Sequence, residues 1–281
     1  MDVIGAHERR LPPYDERWMP REHTDTELGA ALLAGDVAGT ASHPLQNVRG
    51  NIEMLLAGDP DKEFGLSGLR DGFDQEAVLR LVETAAGASI DREAADGPVE
   101  IRTEPMLGEL GKMGDRLARA CERSETIALA TGHPESIDYL LKAVGDLLAA
   151  RGARIVRLGE GLRWREAGRE HDWHIEHFGN VALQTDGRVP RHTHSPHAMR
   201  RMLAEGVPDL VVADHGFAGA AIEAGVQTVS IADVNDPALL VAKAQGRTEV
   251  VVVLDDHVPP QNYWPCFQAI AARFPSTGTH L

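Results

Sequence analysis

From residue 126 onward the chain alternates short, almost wholly apolar, β-branched runs with helical stretches, a pattern that few folds accept. The strand-like runs are IALATG (127–132), ARIVRLG (153–159), DLVVADHG (209–216), QTVSIAD (227–233) and EVVVVLDDH (249–257). Helical stretches ESIDYLLKAVGDLLAARG (135–152), HAMRRMLAEG (197–206) and DPALLVAKAQG (236–246) lie between several of them. A strand whose apolar residues are consecutive rather than alternating is buried on both faces, as in a parallel sheet covered by helices. The pattern therefore predicts a Rossmann-like α/β fold, a mostly parallel sheet with helices on both faces. One segment, WHIEHFGNVALQTDG (173–187), interrupts the alternation and reads as a hairpin inserted at a sheet edge or over the site.

Before residue 98 the texture is helical. Apolar residues recur at helical spacing in TELGAALLAGDVA (26–38), NVRGNIEMLLAG (47–58) and DQEAVLRLVETAAG (74–87), with Asp74 placed as an N-cap and Gly87 as a stop. DREAADGP (91–98) is a polar connector, and MLGELGKMGDRLARACERS (106–124) is a further amphipathic helix. Three or four helices without a strand signal predict a helical cap region, 1–98, ahead of an α/β catalytic domain, 99–281. The 28 Lys and Arg stand against 43 Asp and Glu, a net charge of −15. Such a surface repels the phosphates of nucleic acid and anionic lipid, so neither is an expected partner. No run approaches the ~18 apolar residues of a membrane span. The opening MDVIGAHERRLPPYDERW lacks an apolar core, and Cys121 and Cys266 are too few for a disulfide framework. Together these features predict a cytoplasmic protein.

Ligands of an open parallel sheet bind beyond the carboxyl ends of its strands. Here the first strand runs into Thr131-Gly132-His133-Pro134, the third into Asp214-His215-Gly216, the fourth into Asp233-Val234-Asn235-Asp236 and the fifth into Asp255-Asp256-His257. If these strands are neighbours, five Asp and three His face one crevice. Carboxylates so crowded must be protonated or share a cation. The mixed oxygen and imidazole donors suit Mn²⁺, Mg²⁺, Fe²⁺, Co²⁺, Ni²⁺ or Zn²⁺, with Asp214, His215, Asp233, Asp236, Asp255, Asp256 and His257 as candidate ligands. Two ordinary alternatives stand beside this reading: Asn235-Asp236-Pro237 also suits a helix start, and Asp255-Asp256 suits a solvated turn.

His192 and His194 fall on one face if their segment is extended, where both can ligate a metal or meet a phosphate. The turn at Gly132 between strand and helix can offer backbone N–H groups to an anion. In the helical region, Gly35-Asp36, Ser42-His43-Pro44, Asn47 and Arg49 form a polar cluster able to fold over the crevice, with Arg49 meeting an anionic substrate. Pro259 to Trp264 is a rigid aromatic segment, either a substrate wall or core closure. Dinucleotide and P-loop fingerprints are absent, as is a G-x-S-x-G elbow, so a metal-activated water is the economical nucleophile.

The motifs LAGDVAG (33–39), ATGHP (130–134), HTHSP (192–196), PDLVVADHGFAGAAIEAGV (208–226), ADVNDPALLVA (232–242) and LDDHVPPQNY (254–263) resemble those of a family of actinobacterial proteins known simply as phosphatases. At fold level the chain is also similar to the DUF89 metal-dependent phosphatases. Their Asp-Asn-Ala-Gly motif is absent here, and Gly132-His133 stands in its place. The resemblance implies phosphate-ester hydrolysis. Joined to the residue chemistry, it predicts a divalent-metal-dependent phosphomonoesterase acting on a small metabolite such as a sugar phosphate, nucleotide or amino-alcohol phosphate. Asp214 would be essential to turnover and His133 or His194 would be the general acid. Gly132, His192, Arg191, Arg49 and Asn235 would meet the substrate and its phosphoryl oxygens. The same ligands serve a metal-dependent isomerase, lyase or other hydrolase of a sugar or nucleoside, which would leave a substrate phosphate on the product. A non-catalytic metal- or ligand-binding regulator is the third reading. A homodimer is the usual arrangement for such a chain.

Overall fold

A computed structural model describes residues 14–166 and 171–275; residues 1–13 of the opening segment lie outside the described residues. After a 3₁₀ turn at Glu16–Trp18, helix α1 (Asp25–Ala34) starts with a complete capping box. Thr24 Oγ1 accepts from the Glu27 N–H at 3.2 Å, and the Glu27 carboxylate accepts from the Thr24 N–H at 2.8 Å. Strand β1 (Gly39–Thr40), helix α2 (Leu45–Ala57), the short helix α3 (Pro60–Glu63) and helix α4 (Gln75–Ala86) follow. Asp74 caps α4 by accepting from the Ala77 N–H at 2.7 Å, and Gly87 ends it at φ 72°, both as the sequence predicts. Strand β2 (Glu100–Ile101) pairs antiparallel with β1, a two-residue ladder too short to leave an alternation signal. Helix α5 (Thr103–Glu122) leads into the main sheet.

The rest of the chain runs β3 (Thr126–Thr131), α6 (Ile137–Ala150), β4 (Arg154–Ile155), β5 (Arg163–Trp164), β6 (Trp173–Phe178), β7 (Val181–Thr185), α7 (His197–Glu205) and β8 (Leu210–Asp214). It finishes with α8 (His215–Glu223), β9 (Gln227–Ala232), α9 (Pro237–Ala244), β10 (Val250–Val253) and α10 (Trp264–Ala271). The strands form one eight-stranded sheet in the order β10-β9-β8-β3-β7-β6-β5, with β4 beside the start of β3. Strands β10, β9, β8, β3, β4, β7 and β5 run the same way, and only β6 runs against them. This is the mostly parallel α/β architecture that the apolar runs predict.

One expected strand is nearly lost. ARIVRLG contributes only Arg154–Ile155, because Arg154 and Arg157 cannot enter a position buried on both faces. The place beside the second half of β3 goes instead to β7, whose five residues are all buried and which is one arm of the expected hairpin. From β3 the chain therefore travels one way to β4 and β7, whereas β8, β9 and β10 lie in succession on its other side. Right-handed crossovers running in opposite directions put their helices on opposite faces, and the gap between β3 and β8 is the switch point.

A continuous buried apolar core includes Leu32, Val48, Leu55 and Val82 of the leading helices together with Leu129, Val212 and Val252 of the sheet. The segment after α1 is laid along the end of β10, where the Asp255 N–H donates to the Val37 carbonyl at 3.0 Å. That contact carries residues 41–47 to the carboxyl ends of the strands.

Candidate active site

The site begins at the switch point. The Thr131 hydroxyl and the Gly132 N–H, the latter at 2.5 Å, both donate to the Asp214 carboxylate. Burial pushes that carboxyl up, but the adjacent His215 charge and these donors win and hold it below its usual range. Asp214 thus binds the ends of β3 and β8 together, and its oxygens are already engaged. Asp214→Asn turns one acceptor into an NH₂ that faces a donor. It is expected to cost about 1–3 kcal/mol of stability, read by thermal melting with and without divalent metal.

Two glycines let the segment from His192 to Pro196 lie against this corner. A Cβ on Gly132 would come 2.3 Å from the Thr193 carbonyl oxygen, and one on Gly216 would come 2.2 Å from the His194 carbonyl oxygen. The Thr193 N–H donates to the Gly132 carbonyl at 2.9 Å. Gly216→Ala must therefore displace the two histidines. Since a 1 Å misplacement can cost on the order of 10²-fold in turnover, a loss of that size in kcat/KM is expected, with far-ultraviolet circular dichroism unchanged.

His215 is the centre of the arrangement. It opens α8 at φ 42° and is 4% exposed, with Nδ1 3.3 Å from Asp214 Oδ1. Its Nε2 is 3.2 Å from Asp236 Oδ2 and 3.6 Å from Asp256 Oδ2. Burial opposes its protonation, but Asp214 and Asp236 outweigh it and hold the imidazole well above its ordinary pKa. Phe64 packs edge-on against both His215 and His194.

The helix-start alternative holds for the backbone, with Pro237 opening α9, whereas the solvated turn does not hold. Asp236 occupies the N-cap position of α9, yet its side chain makes no capping hydrogen bond and turns to His215. Asp255 and Asp256 are buried, not solvated. Asp255 accepts from the Ser42 N–H at 2.5 Å, the Ser42 hydroxyl at 2.9 Å and the His257 N–H at 3.0 Å. The Asp256 side chain is 7% exposed, and among the described residues its carboxylate accepts no hydrogen bond. Burial first and the Asp233 charge second push it well above the usual carboxylate range; burial likewise raises Asp233. The aromatic segment proves to be core closure: the Tyr263 hydroxyl donates to the Asp255 carbonyl at 2.9 Å and meets Ser136 Oγ at 2.9 Å.

The imidazoles gather on one side. His194 stacks on His215 with ring centroids 4.9 Å apart, and His192 lies 4.9 Å from His194 and 5.1 Å from His215. Burial, then the His215 charge, brings His133 down to about 4 and His192 down to about 3, so both are neutral near pH 7. Three sets of donor atoms are close enough to grip an ion: His192, His194 and His215; His215, Asp236 and Asp256; and Asp233, Asp255 and Asp256. Neutral imidazoles beside carboxylates fit a divalent transition ion.

The crevice is a cavity of about 460 Å³ whose lining includes Lys62, His133, Arg191, His192, His194, His215, Asn235, Asp236, Asp256 and His257. Arg191 is paired with Asp186 at 2.6 Å, and Asn235 donates to Asn47 Oδ1 at 2.9 Å. His257 is exposed on the rim, its ring 6.3 Å from that of His133. Gly132 has no free N–H for an anion, because Asp214 takes it. Arg49 does not reach the crevice. It sits two residues from Asn47 on α2, on the other side of the helix, and donates to the carbonyls of Asp91 and Arg92.

His43, from the polar cluster expected to fold over the crevice, places Nδ1 2.7 Å from Asp233 Oδ2. Two further contributors have no signal in the sequence. Lys62 and Asp61 come from α3, where nothing in DPDKE signals a site. Asp61 binds His194 Nδ1 at 2.9 Å, and the Lys62 side chain is only 14% exposed.

With this geometry established, comparison with known proteins is informative. A family described as Phosphatase matches residues 20–276. A relative from Streptomyces coelicolor, Phosphatase SCO2771, is 33% identical over 252 residues, covering 88% of this chain and 94% of the relative. No solved structure matches the chain.

Proposed function

This chain belongs to the Phosphatase family, and from that premise we propose that its crevice hydrolyses phosphomonoesters of small metabolites with the aid of divalent metal. The observation that carries the reading is the convergence of Asp236, Asp256, His192, His194 and His215 with Lys62 on one small cavity at the switch point of the sheet. His215, Asp236 and Asp256 would hold the ion, with Asp233, Asp255, His192 and His194 completing the donors around it. When bound, a divalent ion polarises the phosphoryl group and lowers the pKa of water.

The chain's own residues supply the rest. Asp214 orients His215 from behind, as a partner of the ring nitrogen that faces away from Asp236. Lys62, 14% exposed and 3.0 Å from Asp61 Oδ2, is a cation suited to steady phosphoryl oxygens, the role expected of Arg49. His43 pairs one nitrogen with Asp233 and lines the same cavity, so its other nitrogen is available to protonate a departing alkoxide. His133, a neutral imidazole lining the same cavity, is suited to accept a proton. A larger cleft of about 940 Å³ shares His192 and His194 with the crevice and carries Arg70 and Arg200, leaving room for the alcohol portion of the ester.

The test is a panel of phosphomonoesters incubated with metal-loaded protein, with orthophosphate and the freed alcohol both quantified. Equal amounts of the two from one ester class are expected. Conversion of an ester with its phosphate retained would overturn the reading in favour of an isomerase or lyase.

A further inference from the structure

We infer that the crevice holds two divalent cations, an outer one on His215 and a deeper one on Asp233 and Asp255, joined by the carboxylate of Asp256. This rests on the metal-dependent reading above and goes beyond it in number, position and ligand chemistry. The three donor sets overlap in a chain: His215 is common to the first and second, and Asp256 to the second and third. An imidazole nitrogen binds one ion. His215 directs Nε2 at Asp236 and Asp256 and its other nitrogen at Asp214, so it serves one cation and cannot complete two sets at once. A carboxylate has two oxygens and can bridge. The overlap therefore allows two ions and not three.

The first and third sets are independent of each other. The His192 set and the Asp233 set have no residue in common, so an ion held in the first leaves Asp233, Asp255 and Asp256 together and buried. Hydrogen bonds from Ser42, His43, Val234 and His257 serve Asp233 and Asp255, but none reaches Asp256. A carboxyl group with 7% of its side chain exposed and no hydrogen-bond donor among the described residues is suited to a cation.

The two positions differ in chemistry. The outer draws on imidazole and suits Zn²⁺, Co²⁺ or Mn²⁺, whereas the deeper is built of carboxylate oxygen and suits Mn²⁺ or Mg²⁺. Asp256 lines the cavity, while Asp233 and Asp255 are not among its lining residues, so the deeper ion sits beneath the bridging carboxylate.

The experiment is metal content by mass spectrometry after chelation, reconstitution with Mn²⁺ alone and gel filtration, together with the electron paramagnetic resonance spectrum of the same samples. Wild type is expected to retain two Mn²⁺ per chain with an exchange-coupled signal. Asp256→Asn, which breaks no hydrogen bond, is expected to retain one and to lose the coupling. A His192→Ala/His194→Ala pair is expected to lose the outer ion and keep the deeper one. A wild type saturating at one Mn²⁺ per chain, or two ions without coupling that Asp256→Asn leaves in place, overturns the inference even if phosphate is released. Two coupled ions in a protein that hydrolyses no ester would uphold it while overturning the proposed function.

Discussion

His215→Ala is expected to be the most damaging single substitution in the protein, in two separate measurements. The imidazole is 4% exposed and lies among Asp214, Asp236 and Asp256 at 3.3, 3.2 and 3.6 Å. Removing one member of a buried charged set leaves the others uncompensated, a cost of about 3–5 kcal/mol. The metal-free variant should therefore melt well below metal-free wild type. Saturating Mn²⁺ should recover part of that loss, because the remaining carboxylates still bind a cation. Turnover should not recover. A fall in kcat/KM of at least about 10³-fold, worth roughly 4 kcal/mol of barrier, is expected even in the metal-saturated variant. A variant with normal stability and activity would mean that His215 is an ordinary packed residue.

Asp256→Asn should behave in the opposite sense without metal. The wild-type carboxyl group is buried and accepts no hydrogen bond among the described residues, so replacing it with a neutral amide relieves a desolvation cost. In chelator the variant is expected to be more stable than wild type by about 1–3 kcal/mol, a shift of several degrees in Tm. In saturating Mn²⁺ the order should reverse, because the variant has lost a ligand. The pH dependence has a definite sign. A carboxyl whose folded pKa is raised contributes stability that is complete below its ordinary range, about 4, and is lost as pH rises through the raised value. Metal-free wild type should therefore lose stability as pH climbs from about 4 towards neutrality, and Asp256→Asn should show a shallower loss. Calorimetric melts of both proteins across that range, with and without metal, measure all of this. A variant less stable than wild type in chelator would show that Asp256 is satisfied as it stands.

The fold was legible because burial on both faces writes itself directly into composition: VVVV, LVVAD and IALAT cannot belong to a surface. The order of strands was not legible. Placing β7 rather than β4 against the end of β3 depends on a contest between ARIVRLG and VALQT for one buried position, which charged side chains decide only once both are docked. The crevice was legible for the residues that end strands, since the rule for open parallel sheets names those positions in advance. It was legible for His43 only as part of a polar cluster, and not for Asp61 and Lys62; all three arrive through long-range packing of the helical segment: the Val37 carbonyl on the Asp255 N–H, and Asp61 on His194. Arg49 shows the converse limit. A cluster in sequence is not a cluster in space: helical rotation over two residues separates Arg49 from Asn47. Gly132 obeys a similar limit, for the N–H that its turn could offer an anion is consumed by Asp214.

If a divalent ion in this crevice drives ester hydrolysis, chelation followed by restoration will switch the reaction off and on. Orthophosphate release from the fastest ester should fall to background after EDTA treatment and gel filtration. It should return when one of Mn²⁺, Mg²⁺, Co²⁺, Ni²⁺ or Zn²⁺ is added back. Undiminished release from protein whose metal content has been measured as nil would contradict the account.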